Sequence, residues 1–501
     1  MTAFSQDELS LVLDALLRTV LESRYGQGCW TYLSSNKHVL QTEVWRILMD
    51  RDLWLDLSRR ISLGRDGFAG LRREPYLERV ATLFAERTAW GFRLPALRID
   101  PQPWNRQAID RWRRGRNVLA IMTGPETLPI VETVKAVETG RVGIDTSGYR
   151  VVGVPQPEWI AGKGSAAGGV IVGDDGKPRL VELELPVRID AALILNLPRD
   201  KEIALHRRLT QEAWAAGVTV LNPGSIASEK ADRKHLAHAR WRSAGIGTPA
   251  SCFLPGACSH ESVRQALLAI RGQWAVGSGQ SAVGSWQWAR GAESADGASV
   301  YILPDCSTEG DRARRFILAD ENLEAASAYI IKAIHPTGDA LVRQECGNMR
   351  LMLDGGPRRA VLRLNVSTAF GRPCTYSACW QVARESTDDV ASVGCGGSLM
   401  EYPGPSESLV AEAGGEWSPV PREAWKEPEL TTLGQRAMAA LQRGIPACDR
   451  LSFVGLDLLP TWHPGENAIR WSVLEANARP AGLGAARPIK TFPSFPPGIT
   501  A

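Results

Sequence analysis

Hydrophobic and polar positions along this chain change their period as the sequence proceeds. Leu11, Leu13, Leu16, Leu17 and Val20 recur near helical spacing, and Val44, Trp45, Leu48, Leu53, Trp54 and Leu57 follow. Such a pattern predicts helices that bury one face, so residues 1–95 read as a helical accessory region. From Asn117 short apolar runs take over: Val118–Met122, Ala191–Leu195 and Val218–Leu221. Helical segments over Thr127–Thr139 and Lys201–Ala216 lie between them, and a Gly-Asp-Asp-Gly turn at 173–176 sits among β-like pieces at 150–190. Strands alternating with helices predict an open, mostly parallel α/β domain over residues 96–221. From Asn222 to about Lys490 the pattern is that of one large α+β unit. Two Gly-, Ser- and Pro-rich stretches, Gly277–Gly297 and Tyr402–Pro428, read as surface excursions from it. Residues 491–501 read as a tail. The expected fold class is thus α/β and α+β behind a helical N-terminal region.

The chemistry concentrates near the end. Leu451–Leu459 reads as an apolar strand holding one acid, Asp457. Pro460–Ala468 reads as a turn-rich connection, and Ile469–Asn477 as a second apolar strand ending in Glu475-Ala476-Asn477. Strand side chains alternate, so Glu475 and Asn477 share a face. If the two strands pair as a hairpin, Asp457 joins them. Two carboxylates and an amide oxygen are hard ligands that suit Mg²⁺, which keeps water and phosphate in its remaining positions. Carboxylates on apolar strands are costly without such compensation; an acid on a solvent-facing strand is the plainer reading.

These residues resemble the ATP-grasp superfamily, in which an Asp on one strand precedes Glu-x-Asn on the next. Here the segments are Gly455-Leu456-Asp457 and Leu474-Glu475-Ala476-Asn477-Ala478-Arg479-Pro480. The resemblance extends upstream in the family's order. Asn222-Pro223-Gly224 with Lys234 looks like the entry to the domain, and Ala244–Pro249 like its following turn. Val300–Gly310 resembles the strand and loop that cover the phosphates, and Ala340–Cys346 the hinge strand at adenine. The resemblance implies ATP and Mg²⁺ as cofactors, with Asp457, Glu475 and Asn477 as metal ligands. It implies nucleotide contacts from Lys234, Ser307, Thr308, Gly310, Gln344, Glu345 and Arg350, and catalytic roles for Arg363 and Arg479. One departure is Leu303, where the family has a lysine; Arg312, Arg314 or Arg315 is expected to supply that cation.

By this resemblance the chain is expected to be a carboxylate–amine (or thiol) ligase, similar to glutathione synthetases and ribosomal-protein glutamate ligases. ATP would phosphorylate a small-molecule or peptide carboxylate, and an amine would displace the phosphate. Alternatives are an ATP-grasp kinase acting on a hydroxyl and a degenerate domain that binds nucleotide or a partner protein. Charge changes this picture little. A net charge of +3 over 501 residues gives no support for a nucleic-acid partner. The basic run Asp110–Arg116 reads as a solvated helix end, and Gly162-Lys163-Gly164-Ser165 lacks the spacing of a phosphate loop. Nine scattered cysteines without a CxxC pair predict reduced thiols. Neither a secretory leader nor an 18-residue apolar run is present, so a cytoplasmic location without a membrane partner is the expectation.

Overall fold

The computed structural model describes residues 102–123, 134, 137–138, 146–155, 158–173, 178–195, 200–276, 298–307, 310, 312–353, 356–369, 372–392, 395, 397–402, 409–413, 415–478 and 487–488. The helical region expected at 1–95, most of the Thr127–Thr139 helix, the Gly277–Gly297 stretch and the tail lie outside them. The described chain forms two compact units, one reaching Leu195 and taking in 212–219, the other comprising 200–211 and Val220 onward.

The first unit carries strands β1 (Gln102–Trp104), β2 (Asn117–Thr123), β3 (Tyr149–Pro155), β4 (Trp159–Ile160), β5 (Ser165–Val172), β6 (Pro178–Arg188) and β7 (Ala191–Ile194), and Thr219 at the start of β8 (Thr219–Leu221). They form one sheet in the order β1-β6-β5-β3-β2-β7-β8, with β4 on β5. The α/β class is as expected, but the sheet is mixed rather than mostly parallel. β2 runs parallel to β3 and β7, and β1 to β6, whereas β5 is antiparallel to β3, β4 and β6. The physical reason is the short separation of β5 and β6, which pair with Val172 opposite Pro178; so few residues can join only antiparallel neighbours. Helix α1 (Arg106–Arg113) buries Ile109 and Trp112 and ends at Arg114 with φ 49°, so the basic run is a helix end. Helix α2 (Asp200–Ala215) stops before Gly217, whose φ is 72°.

In the second unit, helices α3 (Ile226–Asp232) and α4 (Lys234–Ser243) precede β9 (Ser251–Leu254) and α5 (His260–Val276). Then come β10 (Ala298–Pro304), β11 (Arg314–Leu318), α6 (Asp320–Tyr329) and β12 (Ala340–Gln344). The antiparallel sheet β11-β10-β12-β9 packs one face, through Val300, Ile302, Val342 and Leu254, on α5 and α6. Strands β13 (Met349–Leu353), β14 (Gly356–Arg358), β15 (Ala360–Ala369), β16 (Arg372–Val382), β17 (Ser398–Glu401), β18 (Leu409–Ala413) and β19 (Glu416–Pro419) follow, then helix α7 (Glu427–Gln442). The chain closes with β20 (Phe453–His463), β21 (Ala468–Asn477) and β22 (Arg487–Pro488).

These strands make the small sheet β14-β13-β18-β19 and the larger β17-β16-β15-β20-β21, on which β22 pairs with β16. Leu362, Leu364, Trp380, Val382, Leu456 and Leu458 bury one face of the larger sheet in a core shared with Trp241, Met438 and Leu441 of α4 and α7. Each such side chain contributes about 1.5–3 kcal/mol by leaving water. Two expectations are corrected here. Tyr402–Pro428 is not a surface excursion: Leu409, Val410 and Ala411 are buried and pair with β13. Nor does β20 end at Leu459; it runs through Pro460 to His463, and the turn is Pro464–Asn467. None of the helices among the described residues is long and apolar enough to cross a membrane.

Candidate active site

Strict alternation on the larger sheet builds the site. The face opposite the core carries Arg363 and Asn365 on β15, Cys379 and Gln381 on β16, Asp457 on β20, and Glu475 and Asn477 on β21. Arg363 pairs across to Asp457, and Asp457 to Glu475; one rung on, Asn365 faces Gly455, which faces Asn477. The hairpin expected from sequence therefore sets both carboxylates directly opposite. Its register shifts between Asp457 and Leu458, leaving Leu474 as a bulge. The carbonyl of Leu474 takes a hydrogen bond from Nε2 of His238 at 2.7 Å, while Nδ1 of His238 meets the Ser251 hydroxyl at 2.9 Å. Burial drives His238 down to about 3, so it stays neutral. Asn222, in the left-handed region at φ 50°, ties the ends of both strands. Its amide donates to the carbonyls of Phe453 and Ala478, and its oxygen accepts from the N–H groups of Ser452 and Phe453.

Lys234 opens α4 one helical turn before His238 and is buried. Its ammonium donates to the Ser307 carbonyl at 2.8 Å and hydroxyl at 3.3 Å, and stands 3.7 Å from Glu475 Oε2. Asp305 holds the helix start by accepting from the His235 N–H at 2.8 Å and facing the His235 ring at 2.6 Å.

Asp457 is the most engaged group. Arg363 clamps both its oxygens at 2.8 Å, Gln381 donates to Oδ1 at 3.1 Å and Asn477 to Oδ2 at 3.2 Å. A carboxylate offers about four acceptor positions, so all are filled. Burial and the facing Glu475 nevertheless push Asp457 up, to about 6, against the pull of Arg363. Glu475 is 23% exposed. Against burial, Lys234, Arg363 and Arg343 hold its carboxyl below the usual range.

Directly after β12, Glu345 binds Arg315 at 2.7 Å, Arg359 at 2.5 Å and the Ser299 hydroxyl at 2.5 Å. Burial pushes Glu345 up, yet Arg359 and these hydrogen bonds hold it down to about 2. A depressed carboxylate contributes stability that is complete above the ordinary range and lost as pH falls through the folded value. Denaturation of Glu345→Gln is therefore expected to depend less on pH than wild type between about pH 5 and pH 2, by on the order of 3 kcal/mol. Parallel pH profiles for the two proteins would contradict this.

Other expected residues scatter. Arg350 is half-buried, donates to the carbonyls of Gly347 and Met349, and lies over the Trp417 ring. Gln344 alternates to the sheet face opposite Arg343. Gly310 has φ 72°, and a Cβ there would stand 2.7 Å from Val390 and 3.1 Å from Cys395; only glycine fits beneath that segment. Thr308 and Arg479 lie outside the described residues.

Leu303 packs with Tyr301, Leu341, Phe253, Ala313 and Val390, an apolar spot closed to a cation. Two of its three expected substitutes point elsewhere. Arg312 bonds to Ala333 and Thr337, and Arg314 lies over Phe316 and Tyr329. Of the three, Arg315 stands opposite Tyr301, on the sheet face that carries Leu303. Sequence reasoning missed Arg343, Arg359 and Gln381. For Gln381 the signal was available: a polar residue alternating with buried Trp380 and Val382.

No group of three or more His, Cys, Asp or Glu is gathered among the described residues. The donor set is two carboxylates and an amide. It fits a Mg²⁺ ion that keeps solvent and phosphate ligands, provided the Asn477 amide turns over to offer Oδ1 beside Asp457 in place of Nδ2.

Comparison with known proteins finds likenesses among solved structures. D-alanyl-alanine synthetase A from Vibrio cholerae is 13% identical, with 73% of this chain and 90% of that one covered and a TM-score of 0.43. VanG D-Ala:D-Ser ligase from Enterococcus faecalis is 12% identical, with 74% and 93% covered and a TM-score of 0.42. D-cycloserine synthetase DcsG is 12% identical, with 74% and 95% covered and a TM-score of 0.44. No family model and no curated protein matches the chain.

Proposed function

We propose that this chain is an ATP-dependent ligase that joins a carboxylate to an amine through an acyl phosphate. One observation carries the reading. Six cations, Lys234, Arg315, Arg343, Arg350, Arg359 and Arg363, gather around five carboxylates: Glu345, Asp457 and Glu475, with Asp389 near Arg315 and Glu412 near Arg350. The excess positive charge suits a polyanion such as a nucleotide triphosphate, whose transfer chemistry depends on positioning and charge neutralisation.

Asp457, Glu475 and Asn477 would hold Mg²⁺, which neutralises charge on the phosphates when bound. Lys234, at the joint of Ser307 and Glu475, would hold the phosphate being transferred. A substrate carboxylate oxygen attacks the γ-phosphorus, the bond to the β–γ bridging oxygen breaks, and ADP leaves. The amine nitrogen then attacks the acyl carbon and inorganic phosphate departs. Hydroxylamine in place of the amine is expected to yield a hydroxamate that requires both ATP and the carboxylate. A stable phosphate ester with no hydroxamate would move the assignment to a hydroxyl-directed kinase.

A second reading, a domain that binds nucleotide without turnover, is favoured by the four donors that already fill Asp457. Bound ATP with no ADP release across a broad set of carboxylates and amines would select it. A cytoplasmic location and small-molecule or peptide substrates belong to the ligase reading.

A further inference from the structure

The structure assigns Arg343 as the residue that supplies the second phosphate-binding cation, in place of the side chain at Leu303. This rests on the nucleotide reading above. Of the six cations named above, five are already engaged. Lys234 is held by Ser307 and Glu475, Arg315 and Arg359 by Glu345, Arg363 by Asp457, and Arg350 by the carbonyls of Gly347 and Met349. Among the described residues the Arg343 guanidinium has neither a hydrogen bond nor an ion pair. It lies over the Tyr301 ring, 5.8 Å from the centroid, as Arg359 does at 5.7 Å.

Position supports the assignment. β12 pairs with β10 so that Arg343 stands opposite Tyr301, and Leu341 opposite Leu303. All four side chains share the face turned away from α5 and α6. Arg343 is therefore one rung from Leu303, on the neighbouring strand. Its charge also acts on Glu475 and His238. A guanidinium with no protein acceptor among the described residues keeps its donors for a bound anion. A planar fork over an aromatic ring is preorganised for phosphate oxygens. Arg315, the remaining expected substitute, would have to leave Glu345 first.

The test titrates the full-length protein with a non-hydrolysable ATP analogue in the presence of Mg²⁺, and separately with adenosine, by calorimetry. Arg343→Met is expected to weaken the ATP analogue by roughly 10- to 100-fold and to leave adenosine binding unchanged. Arg343→Lys should recover much of the loss. Thermal melting checks the fold; if Met is not tolerated, Arg343→Gln gives the same comparison. Unchanged affinity for the analogue in the neutral variant would overturn the assignment while leaving the nucleotide reading intact. An equal loss for both ligands would also overturn it, because Arg343 would then act through Tyr301 packing. If the wild-type protein binds neither ligand, the nucleotide reading fails and the assignment falls with it.

Discussion

Glu475→Gln is expected to lower magnesium-dependent ADP release by at least about 100-fold while the protein stays folded. Glu475 is the less enclosed carboxylate of the pair. Among the described residues its nearest cation is Lys234 at 3.7 Å, and an amide of the same shape fills the same space. What Gln cannot do is present a negative charge to a hard cation. The measurement is ADP release against Mg²⁺ concentration, with a denaturation curve for each protein. Turnover equal to wild type in Glu475→Gln would contradict the metal assignment. Asp457→Asn is a less clean partner experiment, since it also loosens Arg363.

Removing Arg363 is expected to have the largest effect on stability. Arg363→Met leaves a buried carboxylate that has lost two 2.8 Å bonds and keeps only Gln381 and Asn477. Breaking a buried pair from one side costs about 3–5 kcal/mol. The penalty should shrink as pH falls. Asp457 is pushed up to about 6 by burial even with Arg363 present, and without that cation it rises further, so a proton neutralises the stranded charge. Chemical denaturation of both proteins at pH 8 and pH 5 tests this. A loss below about 1 kcal/mol at pH 8 would show that the ion pair is not what holds β15 to β20.

Parts of the site were legible because they are local. One acid inside an apolar run, and Glu-x-Asn at the end of another, need only the two-residue period of a strand to share a face, and the observed register sets Asp457 opposite Glu475. Lys234 and Arg363 were named only through the family resemblance. The pairings of these groups were not legible. Arg363 meets Asp457 across 94 residues of sequence, and nothing local announces that contact. The bulge at Leu474, and the imidazole of His238 that holds its carbonyl, depend on a helix more than 200 residues earlier. Arg343 sat in plain view within Ala340–Cys346, but its importance comes from what every neighbouring cation is already doing.

The fold showed the same division. Apolar runs located β2, β7, β8, β20 and β21, and the family resemblance located β10 and β12. Composition misled at Tyr402–Pro428, where Pro, Gly and Ser flank the short buried run Leu409–Ala411. At Pro460, a residue read as a turn lies inside β20. It comes after Leu458, where pairing with β15 ends and only β21 remains alongside, and one free side is where a strand tolerates proline.

The most direct test is the identity of the nucleotide product. Phosphorus NMR of the full-length protein turning over ATP with Mg²⁺, a carboxylate and an amine reads which bond has broken. Transfer of the γ-phosphoryl group predicts ADP and inorganic phosphate in equal amounts, formed only when the carboxylate is present. AMP and pyrophosphate as the main products would contradict the acyl-phosphate route.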